Sequence, residues 1–245
     1  MSNDYFSFKQ FTVRQQQCAM KVGTDGCLLG AWAQPTANTQ HTNPITILDI
    51  GTGTGLIGLM MAQRFPEAQI TAVDIDADAV MQAQENVAAS PFSRRITVVE
   101  QDITQQLSDI ANSQLLIANH YDIIVSNPPY FIDALTSPDA QRTLARHAGT
   151  LTYDVLMQRA AALLNNDGGV SVIIPSECRQ RMEQAASLAG LMLSRCCGVK
   201  TTERKPARRY LLEFRKQTVS VVDNTEIVIG SPEYQALLQD FYLKI

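Results

Sequence analysis

From residue 45 onward, short β-branched apolar runs alternate with longer helix-forming stretches, and no other feature restricts the possible fold as much. The runs cover 45–50 (Ile-Thr-Ile-Leu-Asp-Ile), 69–74, 96–100, 121–126 and 169–174. They are apolar at successive positions, the pattern of strands buried on both faces. Between them 56–65, 76–89, 152–164 and 178–188 have helix-forming composition, punctuated by Pro66, by Ser90-Pro91 and by Asn165 to Gly169. A series of strand–helix–strand units of this length predicts an α/β fold, a doubly wound and mostly parallel sheet. Beyond it, 209–214 alternates like a further strand, 226–229 reads as another, and 233–243 as a terminal helix.

The first 44 residues read as an N-terminal appendage that ends in a Pro/Asn/Thr-rich linker, Pro35 to Pro44, ahead of a main domain 45–245. Within the appendage, 6–8 and 11–13 alternate like short strands, and Thr24-Asp25 is placed to cap a helix running through Leu28 to Trp32. The 245 residues, 45% of them hydrophobic, suffice for one substantial core. No apolar run approaches the ~18 residues that span a bilayer, and the first residues lack a leader pattern, so a cytoplasmic protein without membrane attachment is expected. Five cysteines, an odd number without metal-type spacing, read as reduced thiols, and no metal is expected.

In a doubly wound sheet ligands sit beyond the carboxyl ends of the strands, and two turns fall there. The first, Asp49-Ile-Gly51-Thr-Gly53-Thr-Gly55, lets the backbone approach a ligand closely and aims a helix N-terminus at negative charge. Taken alone it is ambiguous, because Gly53-Thr-Gly55-Leu-Ile-Gly58 also satisfies a dinucleotide template, and Asp74 suits a ribose diol in either kind of cofactor. Asp102 can accept from an adenine amino group while Ile103 offers a backbone donor to a ring nitrogen; as a helix cap, Asp102 would do neither. Asp49 is placed to meet a ligand ammonium, directly or through water.

The second turn, Asn127-Pro128-Pro129-Tyr130, supplies an amide oxygen, a carbonyl and an aromatic ring. Consecutive prolines remove two donors and fix φ, which leaves rigid acceptors for a planar NH2 group. Together the two turns point to methyl transfer onto nitrogen. They and the two acids resemble the class I S-adenosylmethionine-dependent methyltransferases, in the subset acting on exocyclic amino or amide nitrogens. That resemblance implies a seven-stranded sheet and S-adenosylmethionine as cofactor. The segments Phe8-Lys-Gln-Phe11, 18–26 and 28–32, with Lys205-Pro-Ala-Arg208-Arg-Tyr210, resemble more narrowly the bacterial family that methylates N6 of adenine 37 in the anticodon loop of a valine tRNA. It implies that the appendage is a lid, with Thr24 near the methionine end of the cofactor. Protein-glutamine N5 and ribosomal guanine-N2 methyltransferases share the Asn-Pro-Pro-Tyr chemistry and stay open as alternatives. An NAD-dependent oxidoreductase would leave that turn idle.

Net charge is −4, which argues against indiscriminate coating of nucleic acid. Yet 195–216 holds eight basic residues against Glu203 and Glu213, a net of +6 that leaves −10 for the remainder. Lys200, Arg204, Lys205, Arg208 and Arg209 are therefore candidate contacts to RNA phosphates. Asn127 and Pro128 would hold the acceptor amine, and Tyr130 would stack on its base. A monomer is expected.

Overall fold

The computed structural model describes residues 4–18, 20–39, 44–105, 120–129 and 151–244. A hairpin of β1 (Tyr5–Ser7) and β2 (Thr12–Arg14) leads into α1 (Thr24–Trp32). The main sheet then alternates β3 (Thr46–Ile50), α2 (Leu56–Arg64), β4 (Gln69–Asp74), α3 (Ala77–Ala88), β5 (Ile96–Glu100) and β6 (Tyr121–Ser126). Next come α4 (Tyr153–Leu163), β7 (Leu164–Pro175), α5 (Arg179–Leu188), β8 (Met192–Lys200), β9 (Arg209–Arg215), β10 (Asp223–Val228) and α6 (Pro232–Leu238).

The sheet has eight strands in the order β5-β4-β3-β6-β7-β9-β8-β10. From β5 to β7 all neighbours are parallel, whereas β9 runs antiparallel between β7 and β8. The sheet thus has one strand more than the expected seven: the run read at 226–229 falls in β10, and the strand not read from the sequence is β8, with which β10 pairs parallel, closing that edge with the polar residues Asp223, Asn224 and Glu226 exposed. Strand order reverses between β3 and β6, so the chain leaves these neighbours toward opposite sides and opens a crevice at their carboxyl ends.

Two apolar layers cover the sheet. Leu48, Ile50, Ile124, Val170 and Val172 pack with α4 and α5. Ile47, Ile123, Val125 and Ile173 pack with α1 and α2, together with Phe8, Phe11 and Val13 of the first hairpin. The N-terminal residues therefore share the main core. The linker is held as well: Thr36 is buried and its Oγ donates to the Asp167 carbonyl at 2.6 Å. Thr24 is the first residue of α1, capped by the extended Gly23 without a side-chain cap, so the expected capping role falls away.

Candidate active site

The glycine turn leaves β3 through three left-handed residues, Gly51 (φ 71°), Gly53 (φ 55°) and Gly55 (φ 81°), a conformation in which a Cβ is strained. A Cβ at Gly51 or Gly53 would meet nothing within 4 Å, because both border open space. Gly55 differs. Its Cβ would sit 3.4 Å from that of Ala83, and it lines neither of the cavities described below, so its role is to let α3 approach the start of α2.

The turn satisfies most of its own donors. Gly51 and Thr52 N–H donate to the Val73 carbonyl at 2.9 and 3.0 Å, Gly55 N–H to the Thr52 carbonyl at 3.0 Å, and Gly53 N–H to Asp74 Oδ2 at 2.8 Å. A dinucleotide pyrophosphate would need those amides. Leu56 and Ile57, at the open start of α2, instead face a pocket shared with Lys21 and Thr24, a set suited to one small anion.

Asp49 is fully buried and lines neither cavity, which corrects the expectation of a direct ligand contact. Its Oδ2 accepts from Thr52 Oγ at 2.6 Å and from Gly58 N–H at 3.2 Å, pinning the turn to α2 from beneath. Oδ1 has no partner. Burial, only partly offset by the Thr52 and Gly58 hydrogen bonds, pushes this carboxyl up to about 6.

Two adjoining cavities share Met20, Gly51, Gly53 and Asn127. The larger, about 500 Å³, is walled by Cys18, Asp74, Ile75, Asp102, Ile103, Asn127, Pro128 and Pro129, with Leu151 also on its lining. The smaller, about 310 Å³, is walled by Lys21, Thr24, Asp25, Thr52, Thr54, Leu56 and Ile57. Asp74 spends one hydrogen bond per oxygen on the backbone, Oδ2 on Gly53 and Oδ1 on Asp76 at 3.1 Å, and a carboxylate retains further acceptor capacity. Asp102 Oδ1 takes the N–H and hydroxyl of Thr104 at 2.8 and 2.6 Å, a local cap, while its side chain still borders the cavity.

Ser126 is buried at the end of β6, and its Oγ donates to the Ile50 carbonyl at 2.8 Å. That bond ties the residue before Asn127 to the residue before Gly51, fixing one turn against the other. The diproline corner faces the cavity beside the glycine loop; Tyr130 lies outside the described residues. Sequence reasoning missed Ser126, Met20, Cys18 and Ile75 as cavity residues, and reads Lys21 as a candidate phosphate contact where the structure places it on the smaller cavity. A hydroxyl closing the apolar run Ile123-Ile-Val125 was the signal available for Ser126.

The basic segment divides. Arg195 and Arg215 both pair with the fully buried Glu213, at 2.8 and 2.6 Å. Lys216 donates to the Leu164 carbonyl, Lys200 pairs with Glu226 at 2.5 Å, and Arg209 pairs with Asp25 at 2.8 Å. Lys200 and Arg209 therefore already have acidic partners within the fold, which sets them apart from the other three candidates for phosphate contact. Arg204, Lys205 and Arg208 are exposed in the connection 201–208 and make no ion pair among the described residues. Since β8 runs parallel to β7, this connection lies at the carboxyl edge of the sheet, as the cavities do.

A Rossmann-like sheet with a donor-sized double cavity and an amide-acceptor corner defines a methyltransferase. The family model described as "Methyltransferase small domain" matches residues 36–187. A protein of Phocaeicola vulgatus named tRNA1(Val) (adenine(37)-N6)-methyltransferase is 48% identical, with both chains covered completely. One of the same name from Parabacteroides distasonis is 43% identical, again over the full length of both. Among solved structures, a predicted O-methyltransferase from Agrobacterium tumefaciens superposes with TM-score 0.67 at 19% identity, covering 89% of this chain and 96% of the other, a likeness of fold. The chain belongs to the tRNA1(Val) (adenine(37)-N6)-methyltransferase family.

Proposed function

We propose that this protein transfers a methyl group from S-adenosylmethionine to N6 of adenine 37 in the anticodon loop of a valine tRNA, acting in the cytoplasm as a monomer. The observation that carries this reading is the position of Asn127, which borders both cavities and adjoins Pro128 and Pro129 on the larger. Relatives that bear the activity in their names, at 40% identity or more over the full chain, support the choice of substrate.

The residues fit the donor. Open space over Gly51 and Gly53 admits its close approach, Asp74 suits the ribose, Asp102 Oδ2 and the Ile103 N–H suit the adenine, and Lys21, Thr24 and the α2 amides suit the methionyl carboxylate. When bound, S-adenosylmethionine supplies a methyl group already activated on sulfur. The chain's task is alignment. Adenine N6 is a poor nucleophile because its lone pair is delocalised into the ring. The Asn127 amide oxygen and the Pro128 carbonyl accept its two hydrogens, favour a more tetrahedral nitrogen and stabilise the positive charge that develops there. The departing proton passes to water, and no dedicated base is required. Tyr130 stacks on the base, and a loop base costs less to splay out than one in a duplex. The cavity-lining stretch Met20 to Gly23 takes the lid role expected of 1–44, since Phe8, Phe11, Val13 and α1 belong to the core, and Arg204, Lys205 and Arg208 hold backbone phosphates.

The test is incubation with labelled donor and bulk tRNA lacking the modification, followed by mass spectrometry of nucleosides. N6-methyladenosine confined to a valine tRNA supports the reading. Label in protein or in methylguanosine transfers the site to one of its rivals.

A further inference from the structure

Two buried amides on α3 lie outside both cavities and are idle in the mechanism above. Asn86 and Gln82, each 1% exposed, stand one helical turn apart on the same face, where the apolar pattern of Ala79, Val80, Ala83 and Val87 leads one to expect hydrocarbon. Asn86 pairs with Arg14 as a neighbouring strand would: its Oδ1 accepts the Arg14 N–H and its Nδ2 donates to the Arg14 carbonyl, both at 2.8 Å. The remaining Nδ2 hydrogen goes to the Thr54 carbonyl of the glycine turn at 2.9 Å. Gln82 Oε1 accepts the Gln17 N–H at 3.3 Å. Farther along, the Val22 N–H returns to Gln15 Oε1 at 2.7 Å. The segment held in this way carries Cys18 and Met20, both on the cavity wall.

We infer that Asn86, assisted by Gln82, is a positioning residue that clasps the N-terminal segment onto α3 and the glycine turn, so that these amides set cofactor affinity without touching the cofactor. The inference rests on the proposed reading of the cavity as the donor site. The physical ground is the threefold commitment of one side chain. Arg14 belongs to the segment that supplies one wall, Thr54 to the turn that supplies another, and Asn86 holds both, so its loss frees the first wall to move relative to the second. One buried and two part-buried hydrogen bonds meet on this side chain, and an aliphatic residue at the position would leave the Arg14 and Thr54 backbone groups without these partners.

The test compares the wild type with Asn86→Ala and, as the milder change, Gln82→Leu. In protein without cofactor, alkylation of each cysteine is followed by peptide mass spectrometry, and S-adenosylhomocysteine binding is measured by calorimetry. Cys18 should react about tenfold faster in Asn86→Ala, the factor that corresponds to losing roughly one net hydrogen bond. Cys196 and Cys197, buried in the core, should keep their wild-type rates. The dissociation constant should rise by a similar factor, with the KM for the donor rising and kcat at saturation retained. An unchanged Cys18 rate, or equal acceleration of Cys18 and Cys197, overturns the inference, the latter because it reports global loosening. Should Asn86→Ala not fold, Gln82→Leu carries the same readouts with a smaller factor. A wild type that takes up no S-adenosylhomocysteine refutes the donor-site reading instead, while the thiol rates still judge the clasp.

Discussion

Arg209 donates from Nε to Asp25 Oδ2 at 2.8 Å, joining the first residue of β9 to the first turn of α1. Arg208, its neighbour, is exposed and makes no ion pair among the described residues. Two adjacent arginines in a basic stretch thus have different employment. Neutralising Arg208 should lower the slope of log Kd for tRNA against log salt by about 0.7 to 0.9, the share of one phosphate contact. Arg209→Gln should leave that slope alone and weaken S-adenosylhomocysteine binding, because Asp25 walls the smaller cavity. Filter binding across a salt series measures both, and equal slope changes would restore Arg209 to the RNA contacts.

Asn127→Ala removes one of the two acceptors proposed for the amine and leaves Asp74 and the glycine turn in place. Turnover should fall by about 10² or more, the cost of losing one preorganised partner of transition-state charge. Donor affinity should stay within about threefold. A large loss of affinity in calorimetry would mean that Asn127 serves the donor and not the acceptor.

Asp74 holds the Gly53 N–H, and in the proposed reading its remaining lone pairs go to a ribose. Asp74→Ala should weaken donor binding by about 1.5 to 3 kcal/mol, the range for a hydrogen bond to a charged group. Asp74→Asn can keep the Gly53 bond and should lose less. An unchanged dissociation constant in both variants would reject the ribose assignment.

The Asp49 carboxyl titrates near 6 in the fold against an ordinary 3.8, because burial disfavours its charge. Its protonated form is therefore the one the fold favours. The contribution of Asp49 is most favourable below about pH 4, declines as pH rises toward 6 and is constant above that, a loss of about 3 kcal/mol across the window. Asp49→Asn is neutral throughout. Its unfolding free energy minus that of the wild type, from urea titrations without cofactor, should climb between about pH 4 and 6 and then level off. A difference independent of pH would show that Asp49 ionises normally.

Much of the central sheet could be read in advance, because β3, β4, β5 and β6 are continuous apolar runs that only a doubly covered sheet accommodates. β8 was hidden by its charge: Arg195 and Lys200 read as surface until Glu213 and Glu226 supply partners from neighbouring strands. β7 begins at Leu164, within a run of Asn, Asp and Gly that reads as a loop. There Asn165 reaches Asp122 at 2.7 Å, and at Gly168 a Cβ would lie 2.9 Å from the Asp122 carbonyl.

Within the site, Gly51, Gly53, Asp74 and Asn127 were legible because their chemistry is local to one turn each. Gly55 and Asp49 were legible as important but not in their tasks, since whether a residue faces a cavity or supports it from beneath depends on helices far along the chain. Asn86 gave a faint signal, an amide where α3 should be apolar. The partner that explains it lies 72 positions away.

The polar outer strand has a consequence for behaviour at high concentration. A sheet that stopped at β8 would present Cys196, Cys197 and Val199 as an open, apolar hydrogen-bonding margin on which another molecule could add its own strand. Finishing instead with Asp223, Asn224 and Glu226 gives that margin charge and side chains with weak preference for extended pairing, so stacking between molecules is opposed where it would otherwise begin.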